Sequence, residues 1–128
     1  MRPKWFVTVA GLAMVAACGG TSSSSPSGPR ITISEFSFSP PTLSVKAGTT
    51  VTWTNNGSMP HTTVSDTGVW TSANLGAPTG GGGYGGGTAG GSFQFTFNTP
   101  GSFPYHCSLH PPTDSRYSSF VGTITVTQ

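Results

Sequence analysis

The chain carries very little charge and very little cysteine. Only 6% of its 128 residues are Asp, Glu, Lys or Arg, against about 25% in ordinary globular domains. A nucleic-acid-binding protein needs clustered Lys and Arg to neutralise phosphates, so the sequence excludes that function. Two cysteines are too few for a disulfide-rich scaffold or a four-cysteine zinc site. The 34% of hydrophobic residues suffice for one modest core.

A membrane-spanning run is also missing, but a shorter apolar stretch stands at the N-terminus. Arg2 and Lys4 precede the uncharged residues 5–17, which are fewer than the ~20 that a bilayer requires. A positive start followed by such a stretch predicts an export signal over residues 1–17. Small residues then precede Cys18, and this ending resembles the bacterial lipoprotein signal. The resemblance predicts lipid modification of Cys18, and the alternative is cleavage nearby that leaves Cys18 as a free thiol.

The rest of the chain divides into a tether and one domain. Residues 18–29 are rich in Ser, Gly and Pro, which predicts a flexible linker. The folded domain is predicted over residues 30–128. Within it, residues 76–91 are mostly glycine and predict a long flexible loop, whose function the sequence does not indicate.

Helical periodicity is absent after residue 17, and strand-like alternation takes its place. Short runs alternate apolar with Thr, Ser or Gln side chains, and Gly or Pro turns separate them. These runs lie near residues 31–34, 36–38, 43–45, 51–54, 93–97, 103–107 and 122–126. Six or seven short strands predict an all-β fold, an antiparallel sandwich of two sheets.

One cysteine and three histidines carry the candidate chemistry of this domain. Cys107 ends a predicted strand, His110 follows in a Pro-rich loop, and His61 follows a turn at another strand end. One thiolate and two imidazoles form the protein ligand set of a blue-copper centre, because thiolate favours Cu(I) and imidazole suits both oxidation states. His106 has the opposite strand parity to Cys107, so we expect it to face solvent or a partner.

Two segments resemble the cupredoxins, the family of small blue copper proteins. They are residues 55–61 (NNGSMPH) and residues 100–111 (PGSFPYHCSLHP). The resemblance implies a Greek-key β-sandwich and one copper ion per chain, cycling between Cu(I) and Cu(II). It also implies His61, Cys107 and His110 as the copper ligands, and one-electron transfer as the function.

The chain departs from the family at the axial ligand. Family members usually carry a Met three or five residues after the second His, where this chain has Thr113 and Ser115. Aligning the family's Met-x-Gly ending places Phe120 at that position, as an occupant that cannot coordinate copper. Loss of a weak axial donor favours Cu(I) and predicts a relatively high reduction potential. Met59, two residues before His61, is the rival axial ligand.

Further residues are assigned by their position beside these ligands. Thr62 and Ser108 follow a ligand directly, and the resemblance implies that such neighbours hydrogen-bond across the site and steady the sulfur. Ordinary strand and loop hydroxyls are the alternative. An apolar docking patch is expected around His110, formed by Met59, Pro60, Leu109, Pro111 and Pro112.

The resulting prediction is an exported monomer, anchored by lipid on the periplasmic or extracellular side of a membrane, which carries single electrons between redox proteins. The alternative is a copper-binding module for storage, delivery or sensing. An enzyme is not expected, because copper oxidases and nitrite reductases need additional histidine-rich centres. With three histidines in the chain, at most one is spare.

Overall fold

The computed structural model describes residues 28–80 and 87–128. The predicted export signal, Cys18 and most of the predicted linker lie outside these residues. The described residues form eight strands and one 3₁₀ turn: β1 (Arg30–Ser34), β2 (Ser37–Ser39), β3 (Thr42–Lys46), β4 (Thr49–Asn55), β5 (Val64–Ser65), β6 (Ser92–Phe97), β7 (Gly101–His106), the 3₁₀ turn (Ser115–Tyr117) and β8 (Val121–Thr127).

The strands form two four-stranded sheets, in the orders β2-β1-β4-β6 and β3-β8-β7-β5. The predicted all-β sandwich of two sheets is therefore confirmed. Each sheet is mixed rather than wholly antiparallel, because β1 pairs with β4 and β3 with β8 in parallel. Alternation along a strand reports which face is buried but not the direction of its neighbour, so the sequence did not indicate these two pairs. Within the described ranges, no helix has the length and apolar character needed to cross a membrane.

The core between the sheets is built around aromatic rings. Trp53 has no exposed surface, and its ring lies 5.6 Å from that of Trp70 and 5.7 Å from that of Tyr105. Aliphatic side chains from the other strands complete the core, among them Ile31, Ile33, Val51, Ile124 and Val126. A few large rings thus supply much of the buried apolar area of a small domain.

The outward faces of both sheets carry hydroxyl side chains. On the first sheet Thr50 pairs with Thr96 and Thr52 with Gln94 across β4 and β6. Thr50 and Thr96 are joined by a hydroxyl–hydroxyl hydrogen bond of 2.7 Å. On the second sheet the same pattern runs along β3 and β8, in Thr42, Ser44, Thr123, Thr125 and Thr127. This pattern explains how the domain stays polar outside with so little charge.

The sandwich has two ends, which we name by the first and last residues of β4. The chain enters near the Thr49 end, where a Cβ on Gly28 would lie 2.6 Å from Thr50 O. The last strand finishes at the same end, because Ala47 N donates to Thr127 O at 2.8 Å. The Asn55 end is the opposite one.

The glycine-rich insert leaves the sandwich at the Asn55 end. Its described parts are paired, since Thr79 and Thr88 form a β-bridge and Gly91 N donates to Gly76 O at 2.9 Å. A Cβ on Gly90 would lie 1.6 Å from Asn55 O, so glycine is required where the insert crosses the end of β4. The sequence predicted a loop over all of residues 76–91, and the described parts form a paired stem instead.

Candidate metal centre

His61, Cys107 and His110 meet at the Asn55 end of the sandwich. His61 lies between β4 and β5, Cys107 directly follows β7, and His110 lies in the loop before β8. Cys107 Sγ is 4.0 Å from His61 Nδ1 and 3.6 Å from His110 Nδ1. One ligand atom from each residue lies within 4.8 Å of the others. The three side chains that the sequence singled out are therefore brought to one point.

Backbone pairing fixes His61. Its N–H donates to Leu75 O at 3.1 Å, and its carbonyl accepts from Leu75 N at 2.8 Å. The Asn55 amide organises the turn before it, since Nδ2 donates to Met59 O and to Leu75 O, each at 2.8 Å. His61 has no exposed surface. The turn that appeared in the sequence as NNGSMP is thus held by its own first Asn.

Thr62 ties the thiol to the neighbouring chain segment. Its backbone N–H lies 3.4 Å from Cys107 Sγ, and its hydroxyl lies 3.6 Å from the same sulfur. Ser108 N donates to Thr62 Oγ1 at 2.8 Å, and the two hydroxyls lie 2.9 Å apart. Donors directed at the sulfur help to fix its orientation. Ser108 reaches the sulfur only through Thr62.

Aromatic rings surround His110. The Phe36 ring lies 5.2 Å from the His110 ring, and the Tyr117 ring lies 5.0 Å from it. Phe36 and Tyr117 also contact each other, with ring centroids 4.6 Å apart. His110 itself is half-buried. Ring packing, rather than the backbone pairing seen at His61, holds this second histidine.

This donor set fits copper. Ligand bonds of about 2.0 Å to nitrogen and 2.3 Å to sulfur, as found for the similar ion Zn²⁺, would in a trigonal arrangement separate sulfur from nitrogen by ~3.7 Å. The two sulfur–nitrogen distances of 4.0 and 3.6 Å lie close to that value. Burial lowers the pKa of His61, the nearby His110 lowers it further, and Glu35 opposes both effects. A lowered pKa favours the neutral imidazole, which is the form that binds a metal.

The other predicted residues lie around this cluster. Phe120 is fully buried, and its ring stands edge-on to His61 with centroids 5.1 Å apart. Met59 is half-buried, and its backbone carbonyl accepts a hydrogen bond from Asn55 Nδ2. His106 lies outside the cluster and pairs with Asp66, Nδ1 to Oδ1, at 2.5 Å.

Three contributions to the site were missed in the sequence. Phe36 and Tyr117 contact His110, and Glu35 accepts hydrogen bonds from Ser58 N and, at 2.9 Å, from Ser58 Oγ. The sequence did carry a signal for Phe36 and Glu35. The apolar alternation changes phase between residues 33 and 36, and this change marks the turn that carries both side chains. No comparable signal marks Tyr117, which lies in the long loop after His110.

Comparison with known proteins agrees with this geometry. The family described as copper-binding proteins, plastocyanin/azurin family, matches residues 29–127. Amicyanin from Paracoccus denitrificans is 33% identical over 81 residues, which are 63% of this chain and 56% of that protein. Plastocyanin from Scenedesmus fuscus is 34% identical over 99 residues, which cover 70% of this chain and 85% of that one. The match thus spans little more than half the length of the amicyanin.

Solved structures resemble the chain in the same way. A novel purple cupredoxin from Nitrosopumilus maritimus has a TM-score of 0.58 and 29% identity, over 77% of this chain and 99% of that one. A mutant of amicyanin in its oxidised state has a TM-score of 0.59 and 25% identity, over 78% and 82% of the two chains. The chain belongs to the plastocyanin/azurin family of copper-binding proteins, and the cofactor predicted from its sequence, one copper ion, is the one that this family binds.

Proposed function

We propose that the protein is an exported carrier of single electrons, with one copper ion held by His61, Cys107 and His110. The observation that carries the proposal is the convergence of one thiol and two imidazole nitrogens within 4.8 Å at one end of a rigid sandwich. Bound copper supplies the one-electron chemistry, and the protein supplies a fixed ligand set and a dry environment. The similarity to amicyanin and plastocyanin supports the same function.

We assign a redox protein as the partner and the docking patch as its contact surface. The docking patch comprises Met59, Pro60, Leu109, Pro111 and Pro112. Leu109 is 45% exposed beside the half-buried His110, so an apolar surface lies next to the ligand nearest to solvent. Weak redox encounters bury less than ~1,200 Å², so a small apolar patch suffices for such a contact.

We place the carrier outside the cytoplasm, as a monomer tethered through lipid on Cys18. Residues 1–27 lie outside the described part of the chain, so this proposal rests on the sequence. The position of residue 28 supports it, because the chain enters at the Thr49 end while the ligands lie at the Asn55 end. A tether at that end leaves the docking patch free to meet a partner.

We also assign Phe120 to the axial position without a bond to copper, and Met59 as the rival. The burial of Phe120 and its edge-on contact with His61 support this assignment. Met59→Leu should then leave the reduction potential and the copper EPR spectrum unchanged. Phe120→Met should lower the potential, because an added axial donor reverses the loss that favours Cu(I). Large changes in Met59→Leu would assign Met59 as the axial ligand instead.

The test of the whole proposal is the visible spectrum of the purified protein after loading with Cu(II). We expect an intense thiolate-to-copper absorption band and reversible one-electron cycling. Cys107→Ser, which keeps both histidines and the side-chain size, should lose the band. A colourless Cu(II) adduct of the unaltered protein would overturn the site. Binding of Cu(I) alone, with ready loss to a chelator, would favour copper storage or delivery over electron transfer.

A further inference from the structure

The tight turn between β1 and β2 lies against the metal centre. Ser34 pairs with Ser37, so Glu35 and Phe36 form the tip of a two-residue turn. Phe36 has a φ of 59°, in the left-handed region that a bulky residue rarely adopts. Such backbone strain concentrates at functional sites. A glycine at this position would remove the strain, so the phenyl ring itself needs an explanation.

His61 has a ring nitrogen without a partner. Its Nδ1 faces the Cys107 sulfur at 4.0 Å, and its Nε2 is fully buried with no hydrogen-bond partner. A buried donor left unpaired destabilises a protein. Metal-binding histidines almost always donate their second N–H to a carboxylate, a carbonyl or a water.

The Glu35 carboxylate lies across the space beside Gly57 from that nitrogen. A Cβ on Gly57 would lie 2.7 Å from Glu35 Oε1 and 3.1 Å from His61 Nε2. The two atoms therefore border one narrow gap beside Gly57, which is too small for a methyl group and stays open only because residue 57 has no side chain. Ser58 holds the carboxylate at this gap with two hydrogen bonds, and a carboxylate has lone pairs for further donors. Asn55 Oδ1 also borders the gap, 3.2 Å from the same Cβ, but already accepts from Gly57 N at 2.8 Å.

The Phe36 ring performs a related role at the other histidine. Its ring centroid lies 5.2 Å from that of His110, 4.6 Å from that of Tyr117 and 6.4 Å from that of His61. His110 belongs to a loop and lacks the paired backbone of His61, so a ring packed against it restricts its rotation. The left-handed backbone of Phe36 directs the ring to this contact.

We propose that the β1–β2 turn is a positioning element for both histidines. In this proposal Glu35 accepts the Nε2–H of His61, directly or through one water, and Phe36 holds the His110 ring. The inference rests on the proposed ligand set and adds two positioning residues to it. It predicts that changes in this turn alter the copper site without removing any ligand.

The first experiment replaces the carboxylate by an amide, in Glu35→Gln. In the copper-free protein, ¹⁵N NMR of the imidazole rings should show His61 protonated at Nε2, with faster exchange of that proton in the variant. In the copper-loaded protein, loss of the negative charge should raise the reduction potential. A tenfold change in the Cu(II)/Cu(I) equilibrium, ~59 mV for one electron, is expected.

Lys46→Gln is the matched control, because it also changes the net charge by one unit but lies at the Thr49 end. It should leave the His61 ring signals unchanged and shift the potential much less, in the opposite direction. A Glu35→Gln variant that matches the unaltered protein in both measurements would overturn the role of Glu35.

The second experiment separates the Phe36 ring from its backbone conformation. Phe36→Gly removes the ring and the strain together, and Phe36→Tyr keeps the ring. A turn-only role predicts that Phe36→Gly has unchanged copper EPR and equal or greater stability. Our proposal predicts an altered EPR spectrum, and about tenfold faster loss of copper to a chelator, in Phe36→Gly but not in Phe36→Tyr. Identical behaviour of the two variants would overturn the role of Phe36.

These outcomes separate the turn from the proposed function. If the unaltered protein gave no thiolate-to-copper band, the proposed function would fail. The copper-free NMR of His61 would still show whether Glu35 accepts its proton.

Discussion

His61 and His110 face the same thiol, but the chain holds them in different ways. His61 is fully buried and paired through its backbone to Leu75 on both sides. His110 is half-buried in a loop, where the rings of Phe36 and Tyr117 pack against it. The comparison shows one candidate ligand held by backbone pairing within the sandwich and one held in a loop by ring contacts. Loop-borne ligands with few backbone bonds open at lower free energy than core elements.

The largest loss of stability is expected near His61, where close backbone contacts leave no space for an added side chain. Gly90→Ala would place a Cβ 1.6 Å from Asn55 O, the residue whose amide holds the turn before His61. We expect a loss of about 3 kcal/mol in unfolding free energy, measured by urea denaturation.

Gly76→Ala is the matched control in the same insert, because its Cβ would meet no atom within 4 Å. Its effect should stay within about 0.5 kcal/mol. Equal stability of the two alanine variants would show that the crossing of the insert over β4 is not fixed as described.

A smaller loss of stability is expected where Thr62 joins the segment that carries His61 to the segment that carries Cys107. Thr62→Val removes the acceptor of the Ser108 N–H and the hydroxyl near the sulfur. Loss of one partner of a hydrogen bond in this partly buried place should destabilise the protein by about 1–2 kcal/mol, seen in urea denaturation. Thr62→Ser keeps the hydroxyl and should retain most of the stability. If Thr62→Ser were destabilised and Thr62→Val were not, the methyl group rather than the hydroxyl would join the two segments.

On the His110 side, removal of one ring should act locally. Tyr117→Ala loses the contacts with Phe36 and His110, worth about 1 kcal/mol. Hydrogen exchange should accelerate in residues 108–119 and stay unchanged in β4, and Tyr117→Phe should behave as the unaltered protein does. Equal acceleration in β4 would mean that the two histidines are not held independently.

The smallest effect concerns the charged pair that caps the same loop. Hydrogen bonds from Arg116 lower the pKa of Asp114 from 3.8 to about 2. Because the pKa is lower in the folded state, the pair stabilises the fold above pH ~4 and loses this contribution as the pH falls towards 2. Asp114→Asn should therefore make the melting temperature depend slightly less on pH in this range. The effect is small because the pair is exposed. Arg116→Gln should have the same effect. If the melting temperature of both variants fell with pH as it does in the unaltered protein, the pair would not contribute to the stability of the loop.

The strands and the three candidate ligands could be predicted because each depends on a short, local pattern. Alternation marks a half-buried strand, and the spacing from Cys107 to His110 fits a single loop. The contacts of Phe36 and Glu35 could not be predicted in the same way, since they depend on a left-handed residue that is not glycine. Tyr117 depends on the path of a ten-residue loop. The two-residue strand β5 is too short to give any periodic signal.

The hydroxyl-rich outer faces of the two sheets have a consequence for how the molecule meets others. Long charged side chains such as Lys and Glu lose up to about 2 kcal/mol of rotamer freedom when a contact immobilises them. The Thr and Ser side chains along β3, β4 and β8 are short and already ordered by their neighbours. Contacts through these faces would therefore lose little entropy, and their selectivity would depend on the fit of the two surfaces in contact.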